Sequence, residues 1–249
     1  DRMVAAMSGT DKKLAINWPL VWVAAPVKAY QIIQDGMIGE IIEVHHYGGN
    51  RGPLWHGADK IEHEPTPERK AASWFYSAAE GGGSMQDYLG YGTTLGTWFN
   101  GSKKPIEVTA MWDLANNDLE VDEHSIVIAR YDTGLSKFET RWGTFTDPWT
   151  LQPQPRCGFV IKGSEGTLSC YDYAESIHVQ NREHPEGIDI EVPALESPHR
   201  NPVEYVLDCL KNEKPIEGPL SVGISRIGQQ IVDTAFQSAK LGKTLPLIT

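Results

Sequence analysis

Gly81-Gly82-Gly83-Ser84-Met85-Gln86-Asp87-Tyr88-Leu89-Gly90-Tyr91-Gly92-Thr93-Thr94-Leu95-Gly96-Thr97-Trp98 opens on three glycines and continues at helical spacing. The glycines break the chain, and Ser84 is placed to cap the helix that follows. Asp87 and Tyr91 are four residues apart, which stacks a carboxylate and a phenol on one helical face. Thr94 falls on the same face, while Met85, Leu89 and Trp98 supply apolar packing. Gly90, Gly92 and Gly96 each weaken a helix by about 1 kcal/mol against alanine, so tertiary contacts have to hold it. Small residues there admit a close neighbour, either another helix or a flat ligand. Two readings stay open at this point: a glycine-rich packing helix, or an acid–phenol pair that handles a proton.

Upstream, residues 21–34 carry apolar residues at helical spacing, closed by Asp35-Gly36. Residues 41–47 alternate as a strand. Residues 48–73 form a long polar connection holding Asn50, Arg51, Trp55, His56 and His63, a composition that suits an ordered binding loop. Downstream of Pro105 the pattern turns to strands: 106–112, 125–131, 136–145, 157–161, 166–171, 176–180 and 188–192. Asn116-Asn117-Asp118, Asp132-Thr133-Gly134 and Gly163-Ser164-Glu165-Gly166 mark turns between them. Connections this short exclude crossovers, so most of the sheet is expected to be antiparallel. Two helices close the chain, 202–211 with Asn201 as cap and 221–241 stopped by Gly242. The expected fold is α+β, a large open sheet with helices on one face.

The 249 residues are 40% hydrophobic and 22% charged, an ordinary globular composition. A net charge of −11 argues against nucleic acid or an anionic membrane as partner. No apolar run reaches the roughly 18 residues of a membrane span. Cys157, Cys170 and Cys209 lack disulfide or zinc spacing and fit a reducing compartment, the cytoplasm. Asp1 to Met7 reads as an amphipathic helix already under way, followed by a short strand over 13–18. That start suggests the tail of an upstream domain over 1–18, with the main domain over 19–249.

Several chemistries lack their residues. Gly81-Gly82-Gly83 has Gln86 where a dinucleotide motif needs its third glycine. His45 and His46 are adjacent in a strand and point to opposite faces, and the other histidines form no ligand-spaced cluster, so no metal is expected. No nucleophile elbow is present. What remains suits a hydroxyl-rich ligand: Asn50, Arg51, Trp55, His124, Arg141, Trp142 and Trp149 hydrogen-bond sugars or stack on their faces. Each also has a plain structural use, as a core ring, an ion pair or a strand end.

Three stretches together resemble the C-terminal part of the glucose–fructose oxidoreductase/inositol dehydrogenase/MocA family of NAD(P)-dependent oxidoreductases. They are Ala15-Ile16-Asn17-Trp18-Pro19 with Ile33 to Ile41, Gly81 through Asp87 and Tyr91 to Trp98, and Gly158 to Leu168. The resemblance implies that Asp87 and Tyr91 assist proton transfer at a sugar hydroxyl. The glycine usual two residues after the Asp is Leu89 here, with Gly90 one place later. It also implies an N-terminal Rossmann domain, with its catalytic lysine, that this sequence does not contain. NAD or NADP would be bound mainly there. A homo-oligomer through the open sheet face is implied too. On this reading the chain is the substrate-binding portion of a sugar or polyol oxidoreductase. The alternatives are a stand-alone carbohydrate-binding domain and a keto-sugar lyase or hydratase of the same fold.

Overall fold

The computed structural model describes residues 1–56, 64–113 and 119–249. The helices are α1 (Arg2–Met7), α2 (Ala24–Gln34), α3 (Pro67–Ala71), α4 (Ser84–Phe99), α5 (Pro202–Lys211) and α6 (Val222–Leu241). The strands are β1 (Ile41–Asn50), β2 (Glu107–Trp112), β3 (His124–Tyr131), β4 (Gly134–Trp142), β5 (Gly158–Gly163), β6 (Gly166–Tyr171), β7 (Ser176–Asn181), β8 (Ile188–Glu191) and β9 (Leu245–Pro246). Together they form one nine-stranded sheet ordered β8-β7-β6-β5-β1-β4-β3-β2-β9. Every pairing is antiparallel except β1 with β4, which run side by side from His45/Lys137 to Asn50/Trp142. The expected α+β open sheet is what the chain forms.

Local signals account for the helix ends. Asn201 Oδ1 accepts from Glu204 N (3.0 Å) ahead of Pro202, and Ser221 caps α6 before Gly242 ends it at φ +62. The segment 13–18, expected as a strand, is not one. Its Ile16 N–H donates to Leu220 O (3.0 Å), away from the sheet. The connection expected over 48–73 is more regular than that: 48–50 continue β1, and 53–56 and 67–71 are helical turns. His63 and the Asn116-Asn117-Asp118 turn lie outside the described residues.

Strand side chains alternate between two faces. Val44 and His46 of β1, Val127 and Ala129 of β3, Phe138 and Thr140 of β4, and Phe159 and Ile161 of β5 are buried under α2, α4 and α6. The opposite face carries Glu43, His45, Tyr47, His124, Ile126, Lys137, Glu139, Arg141 and Val160, and among the described residues no helix covers it. Helix α4 lies over β1 and β4 and packs against α6. Its glycines are met by rings of this same chain: a Cβ on Gly90 would stand 2.6 Å from Trp18, on Gly92 2.2 Å from His46, and on Gly96 2.6 Å from Phe138. Thr94, seven residues on from Asp87 and on the same side of α4, is closed off by α6. It is fully buried against Gly228 of α6, where a Cβ would come within 2.9 Å of the Thr94 Cα.

Ser84 does not cap α4 either. The capping position is Gly83, and the acceptor is the Asp122 carboxylate, delivered from the segment before β3. Asp122 Oδ2 accepts from Met85 N (3.0 Å) and from Ser84 Oγ (2.6 Å). Burial pushes the Asp122 pKa up, against these bonds that lower it. Asp122→Ala is expected to cost about 2 kcal/mol, the loss of a cap plus an orphaned buried N–H. Asp122→Asn, which keeps the acceptor, should cost less. Urea unfolding of the two variants checks the order, and equal losses would remove the cap from the account.

Candidate functional site

Asp87 and Tyr91 lie one turn apart on α4, as their spacing requires, and both are half-buried. Among the described residues neither side chain hydrogen-bonds another protein group. Desolvation raises the Asp87 pKa to about 6, near where a group that exchanges protons at neutral pH needs it. The Tyr91 phenol is pushed up by burial and by the Asp87 charge, so it holds its proton at neutral pH. Two rings fix its orientation: Trp18 meets it edge-on at 5.5 Å and Tyr88 at 5.2 Å. The Trp18 indole is itself anchored by a bond from Nε1 to Ser225 Oγ (2.9 Å).

Asn50 faces this helix from the end of β1. It is 6% exposed, hydrogen-bonds the Tyr88 phenol, and accepts from Gly52 N at 2.8 Å. Arg51 is engaged by the buried Asp147: its backbone N bonds Oδ1 at 2.9 Å, while Nε and Nη2 reach Oδ2 at 2.7 and 2.6 Å. Its guanidinium also stands 4.8 Å from the Trp55 ring centre. Trp55 and Arg51 line a cavity of about 560 Å3 with Lys70 and Glu123. Lys70 Nζ and Tyr76 Oη both bond Glu123 Oε1, at 2.8 and 3.3 Å.

His124 and Arg141 stand elsewhere. They are partners across β3 and β4, and their neighbours Ser125 and Thr140 are bonded to each other (2.8 Å) under Ser84 of α4. Alternation therefore turns His124 and Arg141 to the uncovered face. There they line a cavity of about 550 Å3 with Tyr47 and Glu139, and His124 Nε2 pairs with Glu139 Oε1 at 3.1 Å. Grouping them with Asp87 and Tyr91 is thus corrected: a whole sheet separates the two sets. Trp142 is corrected too. It is 1% exposed, packed with Tyr76 and Phe75, so its ring cannot serve as a stacking surface. Trp149 is exposed beyond β4.

Two groups near the pair, Tyr88 and Asp172, have no sequence signal that singles them out, and His46 has more to do than its rejection as a metal ligand suggests. Tyr88 follows Asp87 directly, and Asp172 lies some eighty residues on. His46 is 2% exposed, tilted on Phe159 at 4.7 Å, with no partner for Nδ1. Only its place in an alternating strand pointed inward. Burial lowers its pKa from 6.5 to about 3. Between those values the unfolded chain binds the extra proton and the native one does not, so stability falls as pH falls through this window. His46→Leu is expected to flatten that acid-side loss by up to about 1.4 kcal/mol per pH unit. Urea unfolding at pH 4.5 and 7 reads it, and parallel slopes in both proteins would count against the assignment.

The glycine turn at 81–83 leads into α4, but the N–H groups at that helix start are already taken: Met85 N by the buried Asp122 carboxylate, Ser84 N by the Asp122 carbonyl and Gly83 N by the Phe75 carbonyl. A second anion is repelled there. Among the described residues the one parallel strand pair, β1 with β4, is not joined by a glycine turn into a crossover helix, since β1 runs on into Arg51 and Gly52. The described residues do not fit a pyrophosphate cradle.

Several solved structures share this arrangement and are described as oxidoreductases. The chain matches an aldose–aldose oxidoreductase from Caulobacter crescentus complexed with glycerol at TM-score 0.72 and 16% identity, over 98% of this chain and 67% of that one. An oxidoreductase from Agrobacterium radiobacter in complex with NAD+, L-tartaric acid and magnesium matches at 0.70 and 15%, over 99% and 68%. A levoglucosan dehydrogenase in complex with NADH and levoglucosan matches at 0.70 and 14%, over 96% and 68%. The chain thus spans about two thirds of these neighbours. The comparison with curated proteins returned no match. Within this class of open-sheet folds the particular family is shown by sequence. Residues 27–169 match the GFO/IDH/MocA C-terminal domain, and the chain belongs to that family.

Proposed function

We propose that this chain is the substrate-binding portion of an NAD(P)-dependent oxidoreductase acting on a hydroxyl of a sugar or polyol. The observation that carries the reading is the half-buried Asp87–Tyr91 pair, set one turn apart on the glycine-led helix of a family of oxidoreductases. A nicotinamide, when bound, supplies hydride acceptance. The residues of this chain hold the ligand and handle its proton. Tyr91 presents an O–H to the reacting oxygen, with Trp18 and Tyr88 setting its direction. Asp87, titrating near pH 6, takes or returns the proton beside it. Asn50 and Tyr88 form the polar floor below. Arg51 and Trp55 line a cavity that shares Gly143, Thr144 and Phe145 with that of His124 and Arg141.

The uncovered sheet face, with Ile126, Val160 and Leu135 exposed, supports assembly of copies through that surface. His124 and Arg141 belong to that face on this reading, not to the ligand. The test is a panel of sugars and polyols offered to the intact protein with NAD+ or NADP+, followed at the nicotinamide absorbance. Reduction of either cofactor by one class of substrate is expected. Ligand binding without reduction favours a carbohydrate-binding domain, and product without absorbance change favours a lyase or hydratase.

A further inference from the structure

Asp172 is a buried carboxyl that the proton-handling pair leaves unused. It follows β6, and its N–H extends the ladder to Cys157 O at 3.0 Å. Gln152 clamps this turn, its Nε2 donating to Asp172 O at 2.6 Å and its Oε1 accepting from Cys157 N at 2.9 Å. The alternation Leu168, Cys170, Asp172 sends the side chain to the helix face of the sheet. There it is 4% exposed, and its Oδ1 has no hydrogen-bond partner. A buried polar atom without a partner costs about 1–3 kcal/mol, and native proteins keep few of them.

The surroundings say what the partner would be. Tyr47 pairs with Gly158, and Gly158 with Tyr171, so the next row sets Gly48, Cys157 and Asp172 abreast. Gly48 matters by what it lacks, since a Cβ there would stand 2.9 Å from His46 and 3.1 Å from Tyr88. Both Asp172 and Tyr91 lie close enough to Tyr88 and Tyr173 to raise the pKa of those phenols. One carboxyl and three phenols thus share a single neighbourhood with the Asp87 face of α4. Tyr173 is held at φ +61 and is 48% exposed as a residue. Desolvation pushes Asp172 to about 7, so near neutrality its carboxyl both donates and accepts. A hydroxyl does the same. An ammonium would require the ionised form, and an anion would be repelled by it.

We propose that Asp172, with the Tyr173 phenol beside it, forms a hydroxyl-binding subsite for the ligand whose reacting hydroxyl meets Asp87 and Tyr91. This rests on the sugar or polyol reading of the site, and it makes Asp172 a specificity residue rather than a carrier of the reaction's proton. Calorimetry on the intact protein with glycerol, D-glucose, D-xylose and myo-inositol selects the tightest probe. Asp172→Leu is expected to weaken that probe about tenfold, and Asp172→Asn by less. One monodeoxy derivative of the probe should bind wild type and Asp172→Leu equally, because it lacks the hydroxyl that Asp172 holds. Thermal unfolding accompanies each measurement, and if Asp172→Leu fails to fold, Asp172→Asn carries the comparison. Unchanged affinity in a folded variant overturns the subsite, as does a loss that no deoxy derivative abolishes. Failure of all four probes to bind wild type overturns the polyol reading itself and the subsite with it. A normal turnover in Tyr91→Phe would sink the proton-handling roles and leave the subsite standing.

Discussion

Tyr91→Phe is expected to lower turnover of the intact enzyme by about 10²–10⁴-fold while leaving the fold in place. The variant keeps the ring that meets Trp18 and Tyr88 and removes only the hydroxyl. Because burial and the Asp87 charge raise the phenol's pKa, the group acts at neutral pH in its protonated form. On the proposed reading it offers the substrate oxygen an O–H that stabilises charge building there. The loss should fall on kcat more than on KM, since the bond tightens as the reaction proceeds. Asp87 supplies an independent check. With its pKa near 6, the oxidation rate should rise with pH through that value, and Asp87→Asn should remove this limb. Tyr91→Phe with wild-type kcat, or an Asp87→Asn profile that still bends near pH 6, would take the respective residue out of the chemistry.

The second large effect is on stability. Gly92→Ala places a methyl 2.2 Å from His46 Nδ1 and 2.7 Å from its Cε1 and Cγ. The imidazole is buried and set against Phe159, so it has little freedom to retreat. Alanine improves helix propensity by about 1 kcal/mol, but overpacking of this kind costs 1–3 kcal/mol or more, so a net loss of about 2 kcal/mol is expected. His46→Ala in the same background should recover part of that loss, because the two residues occupy one space. Gly223→Ala serves as the contrast. It also lies in a helix, meets nothing within 4 Å, and should be neutral or slightly stabilising. A Gly92→Ala protein as stable as wild type would show that α4 can lift from the sheet at little cost.

How far the sequence led depends on the range of the signal. The caps at Asn201 and Ser221 and the stop at Gly242 are local, and each was readable where it stands. The Asp87–Tyr91 spacing is a property of one helix and survives in the structure. The cap of α4 was misread because its acceptor, Asp122, arrives from another part of the chain. His124 and Arg141 were grouped with the helix because polar residues near strand ends look alike in sequence. Only the register against Ser125 and Thr140 assigns them a face. Asp172 has no local signal because strand pairing between β1, β5 and β6 sets it in the row of Gly48, and helix packing then lays Tyr88 of α4 over that row.

The central parallel pairing also bears on how the protein comes into being. Val44 N–H donates to Ser136 Oγ across a separation of 92 residues, so the middle strand of the sheet is made long before either of its neighbours. At synthesis rates of roughly 5–20 residues per second, β1 waits for some seconds with its ladder groups unmet. For that interval it is a bare sticky edge at the ribosome exit. The nascent chain should then be most prone to clumping, and most dependent on chaperones, between emergence of β1 and of β4.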